Sequence, residues 1–533
     1  MKKILLCSFF QAIIFCVLAQ TANNAVIDVK HYVFELQLSD SIDDIIGKAT
    51  ITINFLQPGS SFQLDLENKK PDGKGMVVKK VVENNNELSF THNNNTLTIN
   101  ISSPAPKNES RTFEIYYSGI PDDGLIIAQN KYHHRTFFSD NWPNRAHHWI
   151  PCVDRPADKA SVEFIVTAPA HYKIISNGEL IEESNLDSTK KITHWKEAVE
   201  LPTKVMVIGA ADFAVNYAGS VGCVPVYSWV YPENKEKGFF DYAEAMEILP
   251  FFITNVGAYP YKKLANVQSK TIFGGMENAS AIFYFENSVT GDRRSESLLT
   301  HEIAHQWFGD FATETDFSHL WLSEGFATYM TDLYFEHKYG KDTLISMLKQ
   351  QRAEVIEFAK KKLMPVVDTF TTNYMDLLNA NSYQKGGWIL HMLRRKIGDV
   401  LFWKSMRKYY EEYGGKNAST KDFEKVVEKM SELDLHIFFR QWLYTGGYPK
   451  LNINWKYNAN KKSVTITIEQ MQFPLFDLPL QITLLQNTEQ QVHNIIVKEK
   501  MTTIDIPLKS RPAQLIADPN TNLLFDGTVK EIK

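Results

Sequence analysis

Over residues 25–213, apolar and polar positions alternate in short runs, and after that the alternation gives way to helical spacing. Val33-Phe34-Glu35-Leu36-Gln37-Leu38 and Ala49-Thr50-Ile51-Thr52-Ile53-Asn54-Phe55 are period-two strands, separated by polar, Asn-rich turns such as Asn84 to Glu87. After Tyr217 the spacing predicts a helix over 239–256, a short strand region leading to Gly274-Gly275, and a helix-dominated stretch from Arg294 to Tyr444. Within it, 326–339, 344–361, 383–397 and 434–442 carry apolar residues at helical spacing. Gly446-Gly447-Tyr448-Pro449 breaks the run, and strands return at 463–468 and 480–485. The order strands, helices, strands predicts a multidomain α+β protein. The expected divisions are an N-terminal β domain over 20–215, a mainly helical domain over 216–446 and a β-sandwich over 447–533. No internal repeat or low-complexity linker interrupts them.

The helical stretch contains His301-Glu302-Ile303-Ala304-His305, followed by Glu324 inside Trp321-Leu322-Ser323-Glu324-Gly325. With 15 histidines and at most 62 glutamates, H-E-x-x-H arises by chance roughly 0.05 times in such a chain, so its presence carries information. Residues four apart on a helix stand about 40° apart around the axis and about 6 Å along it, so both imidazoles can grip one zinc ion. Glu302 projects about 100° from His301 and is placed to work on a water rather than to ligate. Glu324 is the expected third ligand. Two His, one Glu and one open position describe a catalytic zinc, one per chain, because a structural zinc is closed by four protein ligands. Leu298, Leu299, Ile303, Trp307 and Phe308 surround the motif, so the helix is expected to be buried, and buried histidines with a carboxylate need a partner.

Composition narrows the rest. A hydrophobic fraction of 44% and a charged fraction of 22% are those of a globular protein, and 533 residues hold about three domains. A net charge of −5 offers no broad basic surface for nucleic acid. Lys2 and Lys3 precede an apolar run from Ile4 to Leu18, with Val17-Leu18-Ala19 before Gln20, the pattern of a signal peptide spanning 1–19. Export to a periplasm or the exterior is expected, with no integral membrane span once the signal is removed. Cys7 and Cys16 would leave with it, and Cys152 and Cys223 are too few for a disulfide framework.

Further motifs accompany the zinc pattern in order: Pro151-Cys152-Val153-Asp154-Arg155-Pro156, Gly274-Gly275-Met276-Glu277-Asn278, Tyr383-Gln384-Lys385-Gly386, and Trp442 with Gly446-Gly447-Tyr448-Pro449. Jointly they resemble the M1 (gluzincin) zinc aminopeptidases, and the Gly at 275 is similar to the leukotriene-A4-hydrolase-like branch. The resemblance implies an N-terminal β-saddle, a thermolysin-like catalytic domain and a small β-sandwich. It also leads to the expectation of a member that stops there, without the family's C-terminal helical domain. It implies that Glu302 moves the proton and that Tyr383 donates its hydroxyl to the developing oxyanion. Glu277 would hold the substrate's α-ammonium group, with Gly274, Gly275 and Met276 against the substrate backbone and Asn278 as a further backbone contact.

One segment departs from the family. Where many members carry a Gln or Glu that helps bind the amine, this chain reads Ser139-Asp140-Asn141-Trp142-Pro143. Asp140 or Asn141 would substitute for it, and Trp142 would instead wall the pocket for the first side chain. The expected activity is removal of N-terminal residues, apolar or basic, from peptides with a free N-terminus. The alternatives are a zinc endopeptidase, an epoxide hydrolase, and an inactive peptide-binding protein on the same scaffold.

Overall fold

The computed structural model of the protein describes residues 26–486 and 489–532. The expected signal peptide at 1–19 lies outside the described residues. The alternating first third forms an eight-stranded sheet in the order 179–185, 190–202, 159–169, 27–37, 45–55, 110–120, 75–83 and 86–88. Ile27–Gln37 runs parallel to Lys159–Pro169 and antiparallel to Ile45–Phe55. Along Ile45–Phe55 every second residue is buried, as a half-buried strand requires. Asn84 and Asn85 turn the chain between two strands with φ of 49° and 65°, a region asparagine tolerates better than most residues. A four-stranded sheet (173–176, 208–211, 135–139, 125–129) and a three-stranded one (59–65, 96–105, 90–93) complete this part.

Ala214–Val221 straddles the expected 215/216 boundary and pairs forward with Val224–Val230. It belongs to a five-stranded sheet ordered 214–221, 224–230, 264–269, 281–285 and 275–276. Gly275–Met276 is therefore an edge strand, paired antiparallel to Ala281–Phe285 and open on its other side. The single helix expected over 239–256 is two, Lys235–Tyr242 and Ala245–Asn255. Four later helices build the site: α1 (Glu296–His305), α2 (Trp321–Tyr339), α3 (Lys341–Lys361) and α4 (Gly386–Ile397). Beyond the glycine turn, a four-stranded and a three-stranded sheet face each other through alternating residues such as Val464, Ile466 and Ile468 against Leu480, Ile482 and Leu484. The expected order of strands, helices and strands is what the chain adopts.

A buried ion pair joins the first part to the helical part. Lys204 Nζ lies 2.5 Å from Glu314 Oε1, with side chains 2% and 0% exposed, on the turn after Pro202 and the short strand that follows α1. Burial lowers the Lys204 ammonium, but Glu314 beside it, together with Glu277 and Asp310, outweighs burial and holds it above its ordinary value. Removing one partner strands the other charge. Lys204→Met is expected to cost about 3–5 kcal/mol of stability, read as a lowered midpoint in chemical denaturation. A change within about 0.5 kcal/mol would show that the pair is not structural.

Candidate active site

Helix α1 places His301 and His305 one turn apart on one face, and α2 brings Glu324 across from them. The three ligand atoms form a nearly equilateral triangle. His301 Nε2 and His305 Nε2 are 3.1 Å apart, and Glu324 Oε2 lies 3.3 Å and 3.2 Å from them. A tetrahedral zinc with bonds of about 2.0–2.1 Å requires ligand–ligand edges of roughly 3.3 Å. The side chains present therefore fit the ion. The ring orientation fits as well: His305 Nδ1 donates to the Phe308 carbonyl at 3.1 Å, so Nε2 is the nitrogen that faces the triangle. A second cluster, Glu67 with His147 and His148, also places three donor atoms close together. It is looser, with His148 Nδ1 3.9 Å from Glu67 Oε2, and Lys70 already supplies its cation, 2.6 Å from Glu67 Oε1.

Tyr383 reaches the triad because α2 and α4 approach unusually closely. A Cβ on Gly325 would stand 2.8 Å from the Gly386 Cα, and the reverse holds equally. Only glycines permit that crossing. Immediately before α4, Asn381–Lys385 forms a single π-turn, a feature frequent at functional sites, and it turns Tyr383 inward. The Tyr383 ring stacks on His301 with centroids 5.9 Å apart and planes 15° apart. Burial raises the Tyr383 hydroxyl well above its ordinary value, so it stays protonated and can donate.

Gly274, Gly275, Met276 and Glu277 line the same cleft as His301, Glu302, His305, Glu324 and Tyr383, a cavity of about 260 Å³. A Cβ on Gly275 would collide with the Glu302 carboxylate, so the glycine makes room for that side chain. Glu277 is 5% exposed, and its Oε1 has no protein partner. The loop is tied to α1 by Gln306, which donates from Nε2 to the Glu277 carbonyl at 2.5 Å and to Asp310 Oδ2 at 2.9 Å. Its Oε1 accepts from Ser280 N and the Tyr259 hydroxyl. No motif or spacing in the chain marks Gln306 for this role.

The structure corrects the expectation for Asp140 and Asn141. Neither lines the cleft, and both are 0% exposed. Asp140 is spent on Arg145 Nη2 at 2.6 Å, Thr271 Oγ1 at 2.9 Å and Ile272 N at 3.0 Å. Asn141 donates to the Thr203 and Met206 carbonyls and accepts from Trp149 Nε1. A buried polar group must find partners, and the interior supplied them before any substrate could. Asn278 is likewise fully buried behind the cleft wall and is not among its lining residues. Trp142 does line the cleft, packed edge-to-face on Phe273 and Phe317. Phe273, Leu298 and Leu378 complete the walls. Leu298 was within reach of sequence reasoning, three residues before His301 on the same helical face; Leu378 was not.

Profiles of the Peptidase M1 N-terminal domain and of the Peptidase family M1 domain match residues 29–205 and 240–442. The chain belongs to peptidase family M1. It is 27% identical over 476 residues to glutamyl aminopeptidase of Homo sapiens, covering 81% of this chain and 48% of that protein. It is 27% identical over 380 residues to probable aminopeptidase 2 of Sulfurisphaera tokodaii (68% and 48%) and 26% identical over 415 residues to aminopeptidase M1 of Arabidopsis thaliana (73% and 46%). The chain spans about half the length of the curated relatives it matches.

The M1 site places two glutamates in opposite states. Burial pushes the Glu302 carboxyl well above the ordinary range, with Glu277 and Glu324 adding to the effect and His305 opposing it. Burial also acts on Glu324, but the two imidazoles outweigh it and hold that carboxyl well below the ordinary range. Burial lowers His305, yet Glu324 overrides it and raises the imidazole to about 10. Below that pH the metal-free imidazole holds a proton that a metal must displace. The apparent zinc dissociation constant is therefore expected to rise about tenfold for each pH unit lowered between 8 and 6. Zinc titrations against a chelator buffer at several pH values would reveal it, and a pH-independent constant would show that no proton is displaced.

Proposed function

We propose that this M1 protein is a zinc aminopeptidase that hydrolyses the first peptide bond of peptides carrying a free N-terminus. The observation that carries the reading is that one cleft holds a zinc-sized ligand triangle, a carboxylate with a raised pKa beside it, a protonated tyrosine hydroxyl and an unsatisfied carboxylate, Glu277. Held by His301, His305 and Glu324, zinc supplies a Lewis acid that polarises the scissile carbonyl and acidifies a water. Glu302 accepts the proton of the attacking water and returns it to the leaving amine. A carboxyl raised above its ordinary range holds a transferred proton more readily than an exposed one. Tyr383 donates to the carbonyl oxygen as it becomes anionic. Glu277 accepts from the α-ammonium, and behind it the fully buried Asn278, Gln306 and Asp310 close the way, so the chain must begin there. The open edge of Gly275–Met276 gives an extended substrate a strand to pair with. An endopeptidase needs a cleft open past that point, and an inactive binding protein would need no proton-transferring Glu302 beside the triangle.

Once the amine, the carbonyl and the backbone are assigned, the walls left for the first side chain are Trp142, Phe273, Met276, Leu298 and Leu378. No lysine or arginine lines the cleft. The guanidinium over the Phe273 ring, Arg145, is already committed to Asp123, Asp140 and the Trp142 carbonyl. An acidic first side chain would enter desolvated and unpaired. The pocket thus favours apolar and aromatic residues, and the glutamyl preference in the name of the human relative does not carry over.

One peptide presented with a free and with an acetylated N-terminus, each with and without a zinc chelator, tests the activity. Cleavage is expected only of the free form and only with metal, and Glu302→Gln should keep the zinc while losing about 10²–10⁴ in kcat. Cleavage of the acetylated form would establish an endopeptidase instead.

For specificity, leucyl and phenylalanyl substrates should exceed glutamyl ones in kcat/KM by about 100-fold or more. Equal rates on the two classes would place the first side chain elsewhere.

A further inference from the structure

A second cavity, of about 280 Å³, shares two walls with the first, and those two are His301 and Tyr383. It begins where the attacked carbonyl would sit and leads away from Glu277. Its floor follows the faces of two helices outward from the metal ligands. Ser297 stands one turn before His301 on α1, and Thr328, Thr331 and Asp332 follow Glu324 at helical spacings of four, seven and eight on α2. Helix α3 supplies the far bank with Gln350, Gln351 and Glu354, and Gln384, which follows Tyr383, closes the near one.

The two cavities differ in chemistry. The first is walled by aromatic and aliphatic groups; the second is lined mainly by hydroxyls, amides and carboxylates, with Met347 as its apolar member. Its acidic groups are Glu354 at the rim and the buried Asp332, whose carboxyl burial pushes well above its ordinary range, and no lysine or arginine is on the lining. At its floor Asp332 is 0% exposed and accepts from Gln351 Nε2 at 2.9 Å, but its Oδ2 and the Gln351 Oε1 have no protein partner. Both oxygens are open to a donor from outside the fold.

We propose that this groove receives the residues that follow the scissile bond and that it favours a cationic second side chain, lysine or arginine, over an acidic one. The inference rests on the aminopeptidase reading and extends it to the leaving side. With the amine on Glu277 and the carbonyl oxygen at Tyr383, the next residue leaves the metal on the side of His301 that the groove occupies. A lysine or arginine there meets Glu354 at the rim and the acceptors of Asp332 and Gln351 below it. A glutamate meets only like charge. The groove also gives Gln384, which the hydrolysis does not use, a place beside the second residue.

The test uses tripeptides that share leucine at the first position and alanine at the third, with lysine, alanine or glutamate between, and leucyl p-nitroanilide as a reference without a second side chain. The expected order of kcat/KM is lysine, alanine, glutamate, with the outer two separated by about tenfold at low salt, as a partly exposed charge pair provides. Glu354→Lys should lower the lysine-to-glutamate ratio at least about fivefold, and Gln384→Glu should raise it, each measured against the same variant's rate on the anilide. A ratio near one in the unaltered enzyme, or one untouched by Glu354→Lys, would overturn the groove assignment alone. Failure to cleave the anilide would overturn the aminopeptidase reading and the groove with it.

Discussion

Three carboxylates and two imidazoles share one small, largely apolar cleft with no lysine or arginine on its walls. Left alone, that concentration of acceptors is costly, because burying unpaired charge is among the largest penalties a fold can carry. The protein resolves it with space for a cation rather than with a side chain. The raised His305 imidazole and the depressed Glu324 carboxyl are two sides of one attraction, each holding the other's charge across 3.2 Å. The contrast with Glu67, His147 and His148 is instructive, since there Lys70 already occupies the corresponding role. The same residue types, with and without an internal cation, give a ligand triangle that fits a metal in one place and an ion-pair network in the other.

The surrounding structure holds that arrangement in place. Gly325 and Gly386 bring α2 and α4 close enough for Tyr383 to stack on His301. Gln306, the residue after the second histidine, ties the loop of Glu277 to the helix of His301 and His305 by two hydrogen bonds, one to the Glu277 carbonyl and one from Ser280 N. The Glu277 loop and the helix of His301 and His305 are thereby fixed relative to each other. The motif glycines thus act through what they leave out: at 275 the Glu302 carboxylate, and at 325 and 386 another backbone, fill the volume that a Cβ would take.

Much of this was legible in the sequence, for identifiable reasons. Period-two alternation marked strands such as Ile45–Phe55 because one face is buried, and the i,i+4 histidines marked a candidate metal grip because one helical turn puts both imidazoles on one face. Residues whose role depends on local chemistry, such as Glu302 and Glu277, came to the cleft as expected. Asp140 and Asn141 did not, because a polar side chain near a site in sequence is free to satisfy the interior instead, and both do so completely. The apolar walls were the least legible. Phe273 and Leu378 are brought together only by the tertiary fold, and nothing in their neighbours distinguishes them from core residues.

Two glutamates one helix apart end in opposite states, and the difference lies in what faces each. Glu324 looks at two imidazoles that stabilise its anion; Glu302 looks at Gly275 and at two other carboxylates from a buried position. Environments that drive two like groups apart assign one to hold charge and the other to move protons. This division needs no difference in residue type, so substituting aspartate at either position would keep the charge and lose the reach. The triangle edges of 3.1–3.3 Å leave little slack for a shortened ligand. The side chain that fills the volume left by Gly275 would likewise fall short of a water above the triangle.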